Sequence, residues 1–152
     1  MCGRFYVPPQ AVDLAVSGLP RDQQEAARQA IADWVADMNR PRNDVRPTNQ
    51  YPVLTNTSVA PMRWGFKTDK SNAVFNARQE SLRYPIWRES LVLRRAVVPV
   101  GGFYEWTGAK GSKQAHAIAR ADGQPMLFAA LWQEDANWGR AFRSSQRQPP
   151  HG

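Results

Sequence analysis

Between Pro20 and Met38 the apolar residues Ala26, Ala30, Ile31, Trp34, Val35 and Met38 recur at helical intervals and share one face. Asp22 and Glu25 lie near the start, where carboxylates suit the helix dipole, and Pro41 stands beyond the end. The pattern predicts one long helix over 20–38 whose apolar stripe is a core face. Short β-like runs follow at Tyr51–Leu54, Val59–Phe66, Ala73–Arg78, Arg95–Trp106, Ala115–Arg120 and Met126–Trp132, punctuated by Gly and Pro. Pro85 introduces a short helix over 86–93. Asp122-Gly123, between the last two runs, predicts a tight hairpin turn, because this dipeptide tolerates positive φ. The chain therefore reads as α+β: a mixed, mainly antiparallel sheet with an open, barrel-like core, one long N-terminal helix and short helices.

From Gln133 the alternation fades. "EDANWGRAFRSSQRQPPHG" is polar, basic and Pro-containing with scattered apolar residues. The reading is a domain over 1–132 followed by a poorly ordered tail over 133–152. A sheet domain does not normally stop just after a strand as apolar as "PMLFAALW", so the domain is expected to be C-terminally incomplete. An exposed sheet edge would then invite self-association of an otherwise monomeric protein. No internal repeat and no Gly/Ser-rich linker marks a second domain.

Composition narrows the function. With 42% apolar residues, including six Trp and six Phe, the 152-residue chain can bury a real core. Twenty Lys and Arg against thirteen Asp and Glu leave a net charge of +7, which favours polyanionic partners, nucleic acid first. No run approaches the roughly 18 apolar residues of a membrane span, and the start lacks the order of a signal peptide. The expectation is an intracellular protein, cytoplasmic and nucleoid-associated, without a membrane partner. Cys2 is the single cysteine, which excludes an internal disulfide, and with only His116 and His151 beside it there is no zinc-type ligand spacing. No metal and no cofactor are expected.

The place of that cysteine is chemically suggestive. A residue as small as Cys2 permits removal of Met1, which leaves an α-amine and a thiol on adjacent carbons. An α-amine with a pKa of about 8 is partly neutral at physiological pH, and Arg4 is near enough in sequence to activate the thiol. Such an aminothiol captures aldehydes: the amine forms an imine, and the sulfur closes on it to give a five-membered thiazolidine. An incidental small residue near a chain end fits the same position. In "FNARQES", Asn76, Arg78 and Glu80 alternate along a strand and so share a face. In "VVPVGGFYEW", Glu105 follows a Gly pair among Phe103, Tyr104 and Trp106, surroundings that suit a carboxyl to proton transfer near neutrality. A solvent-facing Glu on an alternating strand is the other reading.

In order, "MCGRF", "RPTNQYPVL", "MRWGF", "FNARQES", "VVPVGGFYEW" and "ADGQPMLFAALW" resemble the SOS-response-associated peptidase (SRAP) family, whose members crosslink to abasic sites in single-stranded DNA. The resemblance spans residues 1–132. It implies that Cys2 attacks the ring-opened sugar aldehyde and becomes a thiazolidine adduct that shields the lesion. Asn76 would orient the sugar and the amine, and Glu105 would move protons. Arg4 and Arg78 match phosphate-holding positions. Trp64, in "MRWGF", would lie near the cleft, either packed on an unstacked base or in the core. Arg83, Arg88, Arg94 and Arg95 are further candidates for a phosphate track, or plain surface charges.

The match has departures. The family pattern continues beyond "FAALW" with a further strand and a His-x-Arg-Met-Pro motif, and no counterpart of that histidine follows here; neither His116 nor His151 is expected to replace it. Pro-Val-Gly-Gly-Phe stands for the usual Pro-Ala-Asp-Gly-Phe, and Asp44 stands where asparagine is common. Two other functions stay open: a thiol peptidase or hydrolase with Cys2 as N-terminal nucleophile, acting even on its own Met1, and a non-catalytic or degenerate nucleic-acid-binding module.

Overall fold

A computed structural model describes residues 3–6, 16–37, 44–71, 74–78, 80, 82–135 and 139–146. The long amphipathic stretch is a helix, α1 (Arg21–Ala36), and the segment behind Pro85 is a second, α2 (Pro85–Leu93). The strands are β1 (Phe5–Tyr6), β2 (Gln50–Leu54), β3 (Val59–Trp64), β4 (Asn76–Arg78), β5 (Arg95–Val100), β6 (Gly102–Thr107), β7 (Gln114–Ile118), β8 (Met126–Asp135) and β9 (Gly139–Gln146). The domain is α+β with mainly antiparallel sheets.

The larger sheet runs β3-β2-β5-β8-β9-β4, and a parallel pairing of β3 with β9 brings its flank back on itself. Five strands thereby close into a small barrel, and β4 extends β9 beyond the closure. Alternation fills the inside. Ala96, Val98 and Val100 of β5 lie opposite Ala130, Phe128 and Met126 of β8, and they join Tyr51, Val53, Met62, Trp64 and Phe142 in one core cluster. Trp34 of α1 enters this core, donating its indole N–H to Gln50 O at 3.3 Å and meeting Tyr51 edge to face at 5.1 Å. The helix buries Ala27, Ile31 and Trp34, whereas Ala26 is exposed, so the apolar stripe lies one residue out of the expected phase at its start. Met38 lies outside the described residues.

Three expectations change. The run Arg95–Trp106 is two strands, not one: after Gly101 the chain leaves the barrel, and β6 forms a second, three-stranded sheet in the order β1-β6-β7. Gly102 permits the crossing. A Cβ there would lie 2.5 Å from Ile118 O and 2.7 Å from the Tyr6 ring, closer than any side chain tolerates. Asp122-Gly123 does form a turn, with Gly123 at φ +72° and its N–H on Arg120 O, but no hairpin. Its flanking strands belong to different sheets: β7 pairs back on β6, and β8 pairs with β5.

The third change concerns the expected loose tail from Gln133. β8 continues to Asp135, and β9 is a barrel strand with Ala141, Phe142, Arg143 and Ser144 all buried. Its polar letters mislead because Arg143 is not on the surface. The guanidinium sits 4.4 Å from the Phe66 ring centroid and 4.2 Å from that of Trp87 under α2, and burial pushes its pKa down to about 10. His151 and the rest of the C-terminal hexapeptide lie outside the described residues.

Candidate functional site

The chain enters the fold along the edge of the small sheet. Phe5 pairs with Phe103 and Tyr6 with Gly102 in antiparallel register. One step back along that register sets Arg4 opposite Tyr104, whose N–H donates to Arg4 O at 3.0 Å. Glu105 is the next residue of β6 beyond that bond. Gly3 meets the third element of the site: its Cβ position is 3.9 Å from the Phe75 ring, and Phe75 immediately precedes Asn76. Cys2, the proposed nucleophile, lies outside the described residues. Gly3, to which it is bonded, packs beside the segment leading into Asn76 and directly precedes Arg4, whose carbonyl is held by the strand bearing Glu105.

Asn76 opens β4 opposite Ser144 of β9 and is half-buried; the Ser144 hydroxyl donates to its Oδ1 at 2.8 Å. The Ser144 N–H donates to Phe75 O at 3.1 Å, so β9 fixes both the backbone and the amide side chain at this point. This support comes from the segment expected to be a loose tail. Arg78 ends β4 opposite Gln146. Glu105 is half-buried in the middle of β6, with His116 of β7 directly opposite.

Arg4 is held on two sides. Its guanidinium lies 5.0 Å from the Trp106 ring centroid, and its Nε is 3.5 Å from Asp44 Oδ1. Asp44 is brought there by the paired hydrogen bonds of Phe5 with Val45. A hydrogen bond from Arg46 holds the Asp44 carboxyl below the usual carboxylate range; partial burial opposes this, and the charges of Arg4 and Arg46 add to it. Asp44 was noted in the sequence only as an unusual letter. Its part in positioning Arg4 is set by the bridge between two segments some forty residues apart.

Trp64 corrects an expectation. It has no exposed surface, so no base can stack on it. Phe142 stacks on it at 6.2 Å and 4°, Phe5 and Phe75 pack at 4.7 and 5.7 Å, and its indole N–H donates to Phe75 O at 3.1 Å. The residue supports the site from within by fixing the carbonyl beside Asn76. Among the other candidate basic residues, Arg94 pairs with Glu89 at 2.7 Å and Arg95 donates to Leu91 O, so both serve the end of α2. Arg83 lies 5.6 Å from the Tyr84 ring centroid, and Arg88 is exposed on α2.

Among the described residues no group of three or more His, Cys, Asp or Glu side chains is placed to hold a metal ion. Nor, among them, is any helix long and apolar enough to cross a membrane.

Known proteins resemble this chain in sequence and in fold. The chain is 26% identical to the abasic site processing protein YMR114C of Saccharomyces cerevisiae, over 87% of this chain and 43% of that protein. It is 28% identical to the abasic site processing protein YedK of Escherichia coli, over 86% of this chain and 59% of that one. The chain thus spans about half the length of these curated relatives. The fold is shared with a solved protein from Bacteroides thetaiotaomicron, at a TM-score of 0.69 and 20% identity, over 97% of this chain and 68% of that one. A phage-related protein from Bordetella bronchiseptica matches at a TM-score of 0.65 and 22% identity, over 96% and 69% of the two chains. The family model described as SOS response associated peptidase (SRAP) matches residues 1–146, through β9, and the chain belongs to that family.

Proposed function

We propose that this chain binds single-stranded DNA and that Cys2, bared by loss of Met1, captures the ring-opened sugar of an abasic site as a thiazolidine, shielding the lesion. The observation that supports this reading most is that the segment Gly3–Arg4 lies between the strand that carries Glu105 and Phe75, the residue before Asn76, while Cys2 is bonded to Gly3. The names of the two curated relatives point to the same lesion.

In this reading Glu105 takes the proton of the sugar C1 hydroxyl and delivers it to the ring oxygen as the ring C–O bond breaks and the aldehyde forms. The Cys2 amine adds to that aldehyde. Glu105 relays the two protons of that amine to the former carbonyl oxygen, which departs as water and leaves the imine. The Cys2 sulfur adds to the imine carbon, its proton passes to the nitrogen, and the ring closes with no net oxidation. Asn76, anchored by Ser144, orients the sugar. Arg4, already oriented by Trp106 and Asp44, and Arg78 hold the flanking phosphates. A place at the nucleoid follows from that partner.

Intact mass of the purified chain, before and after mixing with an oligonucleotide bearing one abasic site, reads Met1 loss and adduct formation together. The expected product is a denaturation-resistant complex equal to the sum of chain and oligonucleotide less one water, absent in Cys2→Ala. A complex retained in Cys2→Ala overturns the reading. Salt-sensitive, fully reversible binding alone would make the chain a non-catalytic DNA-binding module.

A further inference from the structure

The geometry points to Arg46 as a further phosphate-holding residue, tied beside Arg4 by a shared carboxylate; this deepens the DNA binding proposed above and rests on it. Asp44 stands between the two cations. Its Oδ1 is 3.5 Å from Arg4 Nε, and its Oδ2 accepts hydrogen bonds from Arg46 Nε at 2.8 Å and Arg46 Nη2 at 2.5 Å. Both guanidinium groups are therefore held within a few ångströms of one carboxylate.

Charge balance gives the second cation a task. A carboxylate so close to Arg4 offsets that residue's attraction for a phosphate and repels the phosphate itself. Two guanidinium charges around one carboxylate leave a net positive charge at this spot, which Arg4 and Asp44 without Arg46 do not. Arg46 also reaches further into solvent, its side chain being 54% exposed against 38% for Arg4.

Hydrogen-bond geometry supplies the contact. A guanidinium carries five N–H groups in a planar fork. Arg46 commits its Nε–Nη2 edge to Asp44, and among the described residues no acceptor meets Nη1, so the Nη1–Nη2 end is left with the paired N–H geometry that phosphate oxygens match. The backbone beneath it is fixed. Val45 exchanges hydrogen bonds with Phe5, Arg46 N–H donates to Asn49 Oδ1 at 2.9 Å, Asn49 N–H donates to Arg46 O at 3.0 Å, and Thr48 N–H donates to Trp64 O at 2.8 Å. The turn that carries Arg46 is thus fastened to β1, which leads back to Cys2, and to the end of β3. With backbone and side chain both placed in advance, holding a phosphate costs little further ordering. An exposed ion pair adds little to stability, so removing Arg46 leaves the fold intact and isolates its effect on binding.

The test compares the wild type, Arg46→Gln and Arg46→Lys by fluorescence anisotropy with an unmodified single-stranded oligonucleotide over a range of salt concentrations, and by thermal denaturation. Arg46→Gln is expected to bind several-fold more weakly at low salt, with a plot of log affinity against log salt that is shallower by about 0.7. Between about 50 and 200 mM salt the wild type then loses roughly 2.5-fold more affinity than the variant. Arg46→Lys should keep the wild-type slope and lose part of the affinity, because an ammonium carries the charge without the fork. All three proteins should melt together. Crosslinking rates below saturation, on abasic oligonucleotides in which one flanking phosphate at a time is a neutral methylphosphonate, locate the contact: one replacement should slow the wild type and leave Arg46→Gln unchanged, and the absence of any such position overturns the inference. Wild-type affinity and slope in Arg46→Gln overturn it as well. So does weaker binding with the full salt slope and a lowered melting temperature, which marks a role in holding the turn. If the wild type itself shows no salt-sensitive binding to the oligonucleotide, the DNA-binding function fails and the inference with it, an outcome distinct from the others.

Discussion

Replacing Trp64 by Phe separates a supporting role from a DNA-stacking one. The indole has no exposed surface and its N–H donates to Phe75 O at 3.1 Å. Phenylalanine keeps a ring between Phe142 and Phe5 but gives up roughly 40 Å² of buried apolar surface, worth about 1 kcal/mol. It also loses one neutral hydrogen bond, worth about 1 kcal/mol. Phe75 O keeps the Ser144 N–H as a donor, so the carbonyl is not left orphaned and the cost does not rise further. The sum, about 2 kcal/mol, corresponds to a fall in melting temperature of roughly 4–8 °C for a domain of this size. Thermal denaturation followed by circular dichroism reads this directly, and fluorescence anisotropy with an unmodified single-stranded oligonucleotide reads binding in parallel. The expected result is a clear loss of stability with DNA affinity unchanged well below the new melting point. A variant that melts like the wild type but binds DNA several-fold more weakly would refute the reasoning, because it would mean that the ring is available to a base.

Two further perturbations probe the frame that carries the site. Tyr51 is fully buried with its hydroxyl on Pro99 O, and burial pushes its pKa well above the ordinary value of about 10. Unfolded tyrosine loses its proton above about pH 10 while the folded one keeps it, so the unfolded chain binds fewer protons there and stability falls as pH rises; below about pH 10 this contribution is fully present. Denaturant titrations at pH 8 and pH 10.5 should show a pH-dependent loss that is smaller in Tyr51→Phe, and an equal loss in both proteins would contradict the assignment. Gly102→Ala places a methyl against Ile118 O and the Tyr6 ring and should cost about 1–3 kcal/mol by prying β6 from its neighbours. An unchanged melting temperature for this variant would show that β6 shifts against β1 and β7 more easily than the contacts imply.

Local chemistry was enough for much of the molecule. The spacing of apolar residues gave the long helix, Pro85 the start of the short one, and the β-like runs 51–54, 59–66 and 126–132 the bulk of β2, β3 and β8 and the α+β class, because each of these signals acts within a few residues. The aminothiol of Cys2 and the aromatic surroundings of Glu105 were visible in the residues themselves, whereas it was the family resemblance that named Cys2, Asn76 and Glu105 together as the site.

What neighbours what was decided only by tertiary structure. Whether Arg143 is a surface charge or a core cation depends on Phe66 and Trp87, which lie far from it in the chain, and so the strand that anchors Asn76 looked like a polar tail. Trp64 is apolar enough for either a base or a core, and Phe5, Phe75 and Phe142 settle it by closing around it. Asp122-Gly123 turns the chain as its letters demand, but a turn cannot choose between two sheets; the register of β7 on β6 does that, and the same register brings His116 opposite Glu105. Periodicity reports which side of an element is buried, whereas pairing between distant strands is a property of the packed whole.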